Sequence, residues 1–167
     1  SIGNLLLATD EGKKELYSYK ADGYIFFFGY SRCNTTCPMG LQAFYQLYEN
    51  PKLPKGIIPI FVSIDPGRDT WENLHRLKQN YGERILFILP ETKEELRNLT
   101  KEFEVQFSLS NPMNPDYQIS HTGNLYFVDS SFKLSRIFTP NERDTEKITS
   151  EIANYYLGEK HENKKEL

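Results

Sequence analysis

Two stretches of this chain are apolar almost throughout instead of at alternate positions: residues 24–30, centred on Ile25-Phe26-Phe27-Phe28, and Ile57-Ile58-Pro59-Ile60-Phe61-Val62-Ser63-Ile64. A strand that is apolar on both faces belongs inside a sheet covered on both sides. Between them Leu41, Phe44, Tyr45 and Tyr48 recur at helical spacing. This predicts a helix over 37–49, its apolar stripe against the sheet and Pro38 in the first turn, where a missing N–H costs nothing. Strand, helix and strand in quick succession imply a right-handed parallel crossover.

The pattern continues with a turn at Asp65-Pro66-Gly67-Arg68-Asp69, a helix over 70–81 with Leu74 and Leu77 inward, and a short strand over 85–89. Asp69 is the candidate N-cap of that helix and Arg68 a partner for a carboxylate. Thr92-x-x-Glu95 reads as a capping box for a helix over 93–103. Residues 106–120, with Pro112 and Pro115, read as a long loop, of the kind that is often functional. Asn124–Asp129 and Lys133–Phe138 form a hairpin, and a last helix over 144–157 packs through Ile148, Ile152 and Tyr155. Residues 4–20 read as a weak strand pair turning at Asp10-Glu11-Gly12. The order predicts an α/β, thioredoxin-like fold with a central mixed sheet flanked by helices. One domain spans residues 1–157, and the charged stretch 158–167 reads as a frayed tail.

With 167 residues there is room for one real core, and a net charge of −3 without a basic patch argues against nucleic acid as a partner. No apolar run approaches the roughly 20 residues that span a bilayer. The chain opens at Ser1-Ile2-Gly3 with no basic-then-apolar leader, so any anchor is expected outside this sequence.

The candidate chemistry lies in the only two cysteines, Cys33 and Cys37, at the junction between the first buried strand and its helix. Thiol oxidoreductases commonly separate their cysteines by two residues; here three intervene. At i and i+4 on a helix, two side chains sit about 5–6 Å apart. That spacing suits one shared metal ion or, with adjustment, a disulfide. A helix N-terminus lowers thiol pKa and favours the thiolate that either job needs. Soft thiolates select Cu(I), zinc or iron–sulfur, and two sulfurs alone underfill a zinc site. Of the three histidines, His75 lies on a surface-type helix and His161 in the tail. His121 sits at the edge where the cysteines lie, and reads either as a strand-end residue or as the third ligand of a Cys₂His copper site. Met39 reads as core filler or as a thioether donor.

Phe28-Gly29-Tyr30-Ser31-Arg32-Cys33 with Cys37-Pro38, then Val62-Ser63-Ile64-Asp65-Pro66-Gly67-Arg68-Asp69-Thr70, then Asp116-Tyr117 followed by His121, resemble the signature segments of the Sco (SenC) family. The resemblance runs from about residue 5 to 157. It implies a membrane-anchored copper chaperone that delivers copper to, or prepares, the dinuclear copper site of a cytochrome c oxidase subunit. The implied location is the bacterial periplasm at the inner membrane, or the mitochondrial intermembrane space. By position Cys33, Cys37 and His121 match the family's copper ligands, with Asp116 and Asp65 as candidates for supporting them. A thiol–disulfide oxidoreductase that reduces partner cysteines through Cys33 and Cys37 is the alternative. Asn34 and Thr35 depart from the family's common Pro-Asp, and the turn Ser130-Ser131-Phe132 lacks its usual glycine.

Overall fold

The computed structural model describes the backbone of residues 1–33, 36–111 and 113–165, and the side chains of these residues apart from 36, 37 and 159–165. The chain opens with a hairpin, β1 (Leu6–Thr9) and β2 (Gly12–Glu15), in which Gly12 takes a left-handed φ of 107°. β3 (Gly23–Gly29) follows and is buried at every residue. Past Cys33 come α1 (Thr36–Glu49), then β4 (Ile57–Ser63), α2 (Trp71–Tyr81), β5 (Leu86–Ile88) and α3 (Lys93–Glu102). β6 (Phe107–Leu109) and β7 (Ile119–His121) form a small ribbon, and β8 (Leu125–Asp129), β9 (Leu134–Phe138) and α4 (Thr145–Lys165) complete the chain.

The main sheet runs β5-β4-β3-β8-β9. β4 is parallel to β3 and to β5, whereas β8 is antiparallel to both β3 and β9. The sheet is mixed and thioredoxin-like, with the most apolar strand at its centre. Side chains alternate across it. Phe27 points towards α1, its ring 6.2 Å from that of Phe44, while Phe26 and Phe28 pack on Phe103 at 4.6 and 5.3 Å.

Several local expectations change. The stretch 106–120 is not all loop: Phe107 pairs with His121 and Leu109 with Ile119. Three-residue strands around a Pro-rich turn are too short to show alternation. On α1, Tyr45 and Met39 are exposed at 47% and 62%, and Ala43 and Leu47 take the buried stripe with Leu41 and Phe44. Met39 is therefore not core filler. The N-cap of α2 is Thr70, which accepts from the Asn73 amide, because Asp69 turns inward instead. Thr92 caps α3, but Glu95 accepts from the Glu91 amide and pairs with Lys13, so the reciprocal half of the box is missing. α4 runs on as helix past residue 157, since a lone Gly158 costs too little to stop it.

Candidate metal centre

β3 and β4 are parallel, so both end at the same edge of the sheet. β8 runs antiparallel to β3, with Gly23 opposite Asp129 and Phe26 opposite Tyr126, and therefore enters from that edge. Cys33, just past β3, Asp65, just past β4, and His121, just before β8, are thereby carried to one rim. This is where open α/β sheets keep their sites.

Cys33 is buried, and its amide donates to the Tyr30 carbonyl at 3.2 Å, closing a turn as the chain leaves β3. The His121 ring is half-buried and stands edge-on to two aromatics, 6.1 Å from the centre of Phe27 and 6.0 Å from that of Tyr30. Phe27 also meets the start of α1. A Cβ on Gly40 would fall 2.5 Å from its ring, so only glycine lets the helix approach this closely. The imidazole and the first turns of the cysteine-bearing helix thus share one aromatic wall. Cys37 lies within α1, and its side chain is outside the described residues. Among the described residues, no three His, Cys, Asp or Glu side chains close on a common point.

The chemistry of His121 follows from its neighbour. Nδ1 lies 3.3 Å from the Thr122 carbonyl oxygen, which can only accept. In the tautomer that donates from Nδ1, Nε2 is the ring nitrogen that carries the lone pair.

Around these residues the motif Asp65 to Thr70 builds a polar frame. Asp65 is buried, accepts from Arg68 Nε at 2.7 Å and accepts from the Tyr117 hydroxyl at 2.7 Å. Arg68 lies over the Tyr117 ring, its Cζ 3.4 Å from the ring centre, and donates through Nη1 to the Pro115 carbonyl. Burial and the bond to Asp65 hold the Tyr117 phenol above its usual range. Asp69 accepts from the amide and hydroxyl of Ser31 and from the Ser63 hydroxyl, tying the cysteine loop to the end of β4. Burial pushes its carboxyl above the ordinary range, and these donors offset only part of that. Asp116, by contrast, is exposed, while its amide is taken up by Asn114. His75 is on the surface, 3.2 Å from Asp10. The side chain of His161 lies outside the described residues. Tyr30, Phe27 and Tyr117 were not among the site residues that spacing alone singles out. The available signal was a tyrosine ending an otherwise apolar strand, whose hydroxyl must find a partner when buried.

The domain is a thioredoxin-like sheet with a thiol beyond its central strand and an imidazole at the same rim. The sequence pattern of the SCO1/SenC family matches residues 5–157, and this chain belongs to that family. Protein sco1 of Schizosaccharomyces pombe is 27% identical over 147 residues, covering 85% of this chain but only 55% of its own length. The chain thus spans about half of that relative. The solution structure of apo Sco1 from Thermus thermophilus superposes with a TM-score of 0.79 at 26% identity, covering 90% of this chain and 89% of that one. Yeast Sco1 with copper bound superposes at 0.78 and 24% identity, covering 92% and 87%, a likeness of fold.

Proposed function

We propose that this chain binds copper as cargo for oxidase assembly, holding one ion through the thiolates of Cys33 and Cys37 and Nε2 of His121. Family membership and the copper-bound relative support the copper. The observation that carries the ligand set is the packing of His121 on Tyr30, whose carbonyl holds the Cys33 amide, and on Phe27, which meets the start of α1. Two soft thiolates and a neutral imidazole suit three-coordinate Cu(I), and the same three donors with a further ligand such as water suit Cu(II). Binding needs reduced cysteines and displaces their protons, so uptake strengthens as pH rises. The cargo passes to the copper-receiving subunit of cytochrome c oxidase. Bacterial and mitochondrial relatives support placement on the periplasmic face of an inner membrane or in the intermembrane space. No helix among the described residues is long and apolar enough to cross a membrane.

The test is a copper titration of the reduced protein, followed by the thiolate-to-Cu(II) charge-transfer band. One equivalent per chain is expected. His121→Ala should weaken binding by orders of magnitude and leave the thiol–disulfide potential near its starting value. Full copper affinity in His121→Ala, together with lost reduction of partner disulfides, would overturn this reading in favour of an oxidoreductase.

A further inference from the structure

We infer that Tyr30 is a positioning residue that locks the histidine-bearing segment to the cysteine loop. This rests on the ligand set proposed above. Tyr30 is buried where the chain leaves β3, and it binds both halves of the site. Its backbone carbonyl accepts from the Cys33 amide at 3.2 Å. Its side chain crosses to the other half: the hydroxyl accepts from the Ile119 amide at 3.0 Å and donates to Gln118 Oε1 at 3.0 Å. The ring between these two ends lies edge-on to His121, at 70° and 6.0 Å.

A phenylalanine would fill the same volume and keep the ring contact. What the hydroxyl adds is a bond to the Ile119 amide and one to the Gln118 side chain, two and three positions before His121. β7 makes no ladder with the five-stranded sheet, so its amide at Ile119 has no strand of that sheet to pair with. The phenol takes that place. A main-chain bond at one end and a hydroxyl clamp at the other set the distance between sulfur and imidazole before any metal arrives. Preorganisation of this kind strengthens binding because the ion need not order the ligands itself.

The experiment is Tyr30→Phe, with Gln118→Ala as a milder second variant at an exposed position. In the metal-free protein, Tyr30→Phe should speed amide exchange at Ile119 and weaken the proton contacts between the His121 and Phe27 rings. In the reduced protein it should lower copper affinity about tenfold to a hundredfold, the range for residues that orient a ligand, and shift the charge-transfer band. The thiol–disulfide potential should stay put. Gln118→Ala should move each readout the same way by less. Unchanged affinity and band in Tyr30→Phe, with Ile119 exchange raised, would overturn the inference, as would unchanged Ile119 exchange and ring contacts. Failure of the wild type to take up copper would sink the copper reading instead, leaving the clamp to be judged by exchange and ring contacts alone.

Discussion

At the scale of single residues, the buried pair Asp65–Arg68 and the hydroxyl of Tyr117 are unequal partners in one frame. The Arg68 side chain is only 9% exposed and that of Asp65 only 2%. Deleting the guanidinium would strand a carboxylate away from water, which typically costs about 3–5 kcal/mol. Removing the Tyr117 hydroxyl breaks one bond to a charged acceptor while Arg68 still neutralises Asp65, a loss of about 1.5–3 kcal/mol at most. Urea denaturation of Arg68→Met and Tyr117→Phe should therefore show the arginine variant to be the less stable. Equal losses would mean that the hydroxyl supports Asp65 as strongly as the charge pair does. Spacing alone pointed to Arg68 as a carboxylate partner, and the geometry bears that out. Asp69 as an N-cap was the wrong inference, because a capping pattern cannot tell which of two adjacent polar residues, Asp69 or Thr70, turns inward. The inward one found donors on Ser31 and Ser63, contacts of long range that no local pattern records.

Among elements, the β8–β9 turn shows how a missing glycine is tolerated. Phe132 takes a φ of 63°, a conformation that costs a side chain of this kind roughly 1–2 kcal/mol. Two features offset it: its ring stacks on Tyr24 at 5.9 Å, and Asp129 gathers the turn, accepting from the amides of Ser131 and Lys133. Asp129 also accepts from Ser135 and Tyr155, joining the hairpin to α4. Burial works to raise its pKa, but these bonds outweigh burial and hold the carboxyl below its usual range. A depressed pKa contributes stability in full above the unfolded value of about 3.9 and loses it as pH falls through the folded value. Acid titration of stability should therefore show the wild type falling more steeply than Asp129→Asn below about pH 4. At neutral pH Asp129→Asn should be the less stable, since an amide nitrogen cannot accept from the two hydroxyls. Parallel curves for the two proteins would remove Asp129 from this role. The β6–β7 ribbon was the element hidden from sequence reading, because its strands borrow their pairing from each other across a turn and offer no alternation long enough to read.

For the whole molecule, the legible part was the part set by burial. β3, β4 and β8 are buried at nearly every position, and their apolar runs alone define a mixed sheet with α1 across it. The rim's two candidate ligands with an address in that sheet, Cys33 and His121, could be assigned to one edge from strand order. Their mutual support could not, because it depends on Phe27, Gly40 and Tyr30 meeting in three dimensions. Copper bound as proposed should register across the entire fold. At free copper about a thousandfold above Kd, a ligand that binds only the native state stabilises it by about 4 kcal/mol. Thermal denaturation of the reduced protein should accordingly shift upward with copper and return with a chelator, and Cys33→Ser should abolish the shift. A shift of equal size in Cys33→Ser would place the ion elsewhere.

The ribbon that carries His121 hangs from the main body by side chains, among them the Tyr30 phenol, the Arg68 guanidinium and the Tyr117 hydroxyl, and shares no ladder with the five strands. One donor can therefore retreat from the other without a single rung of the large sheet being broken. Under the proposed copper reading, unloading is in this way separated from unfolding, because a recipient that draws the imidazole aside works against side-chain tethers and leaves the ladders of the sheet intact.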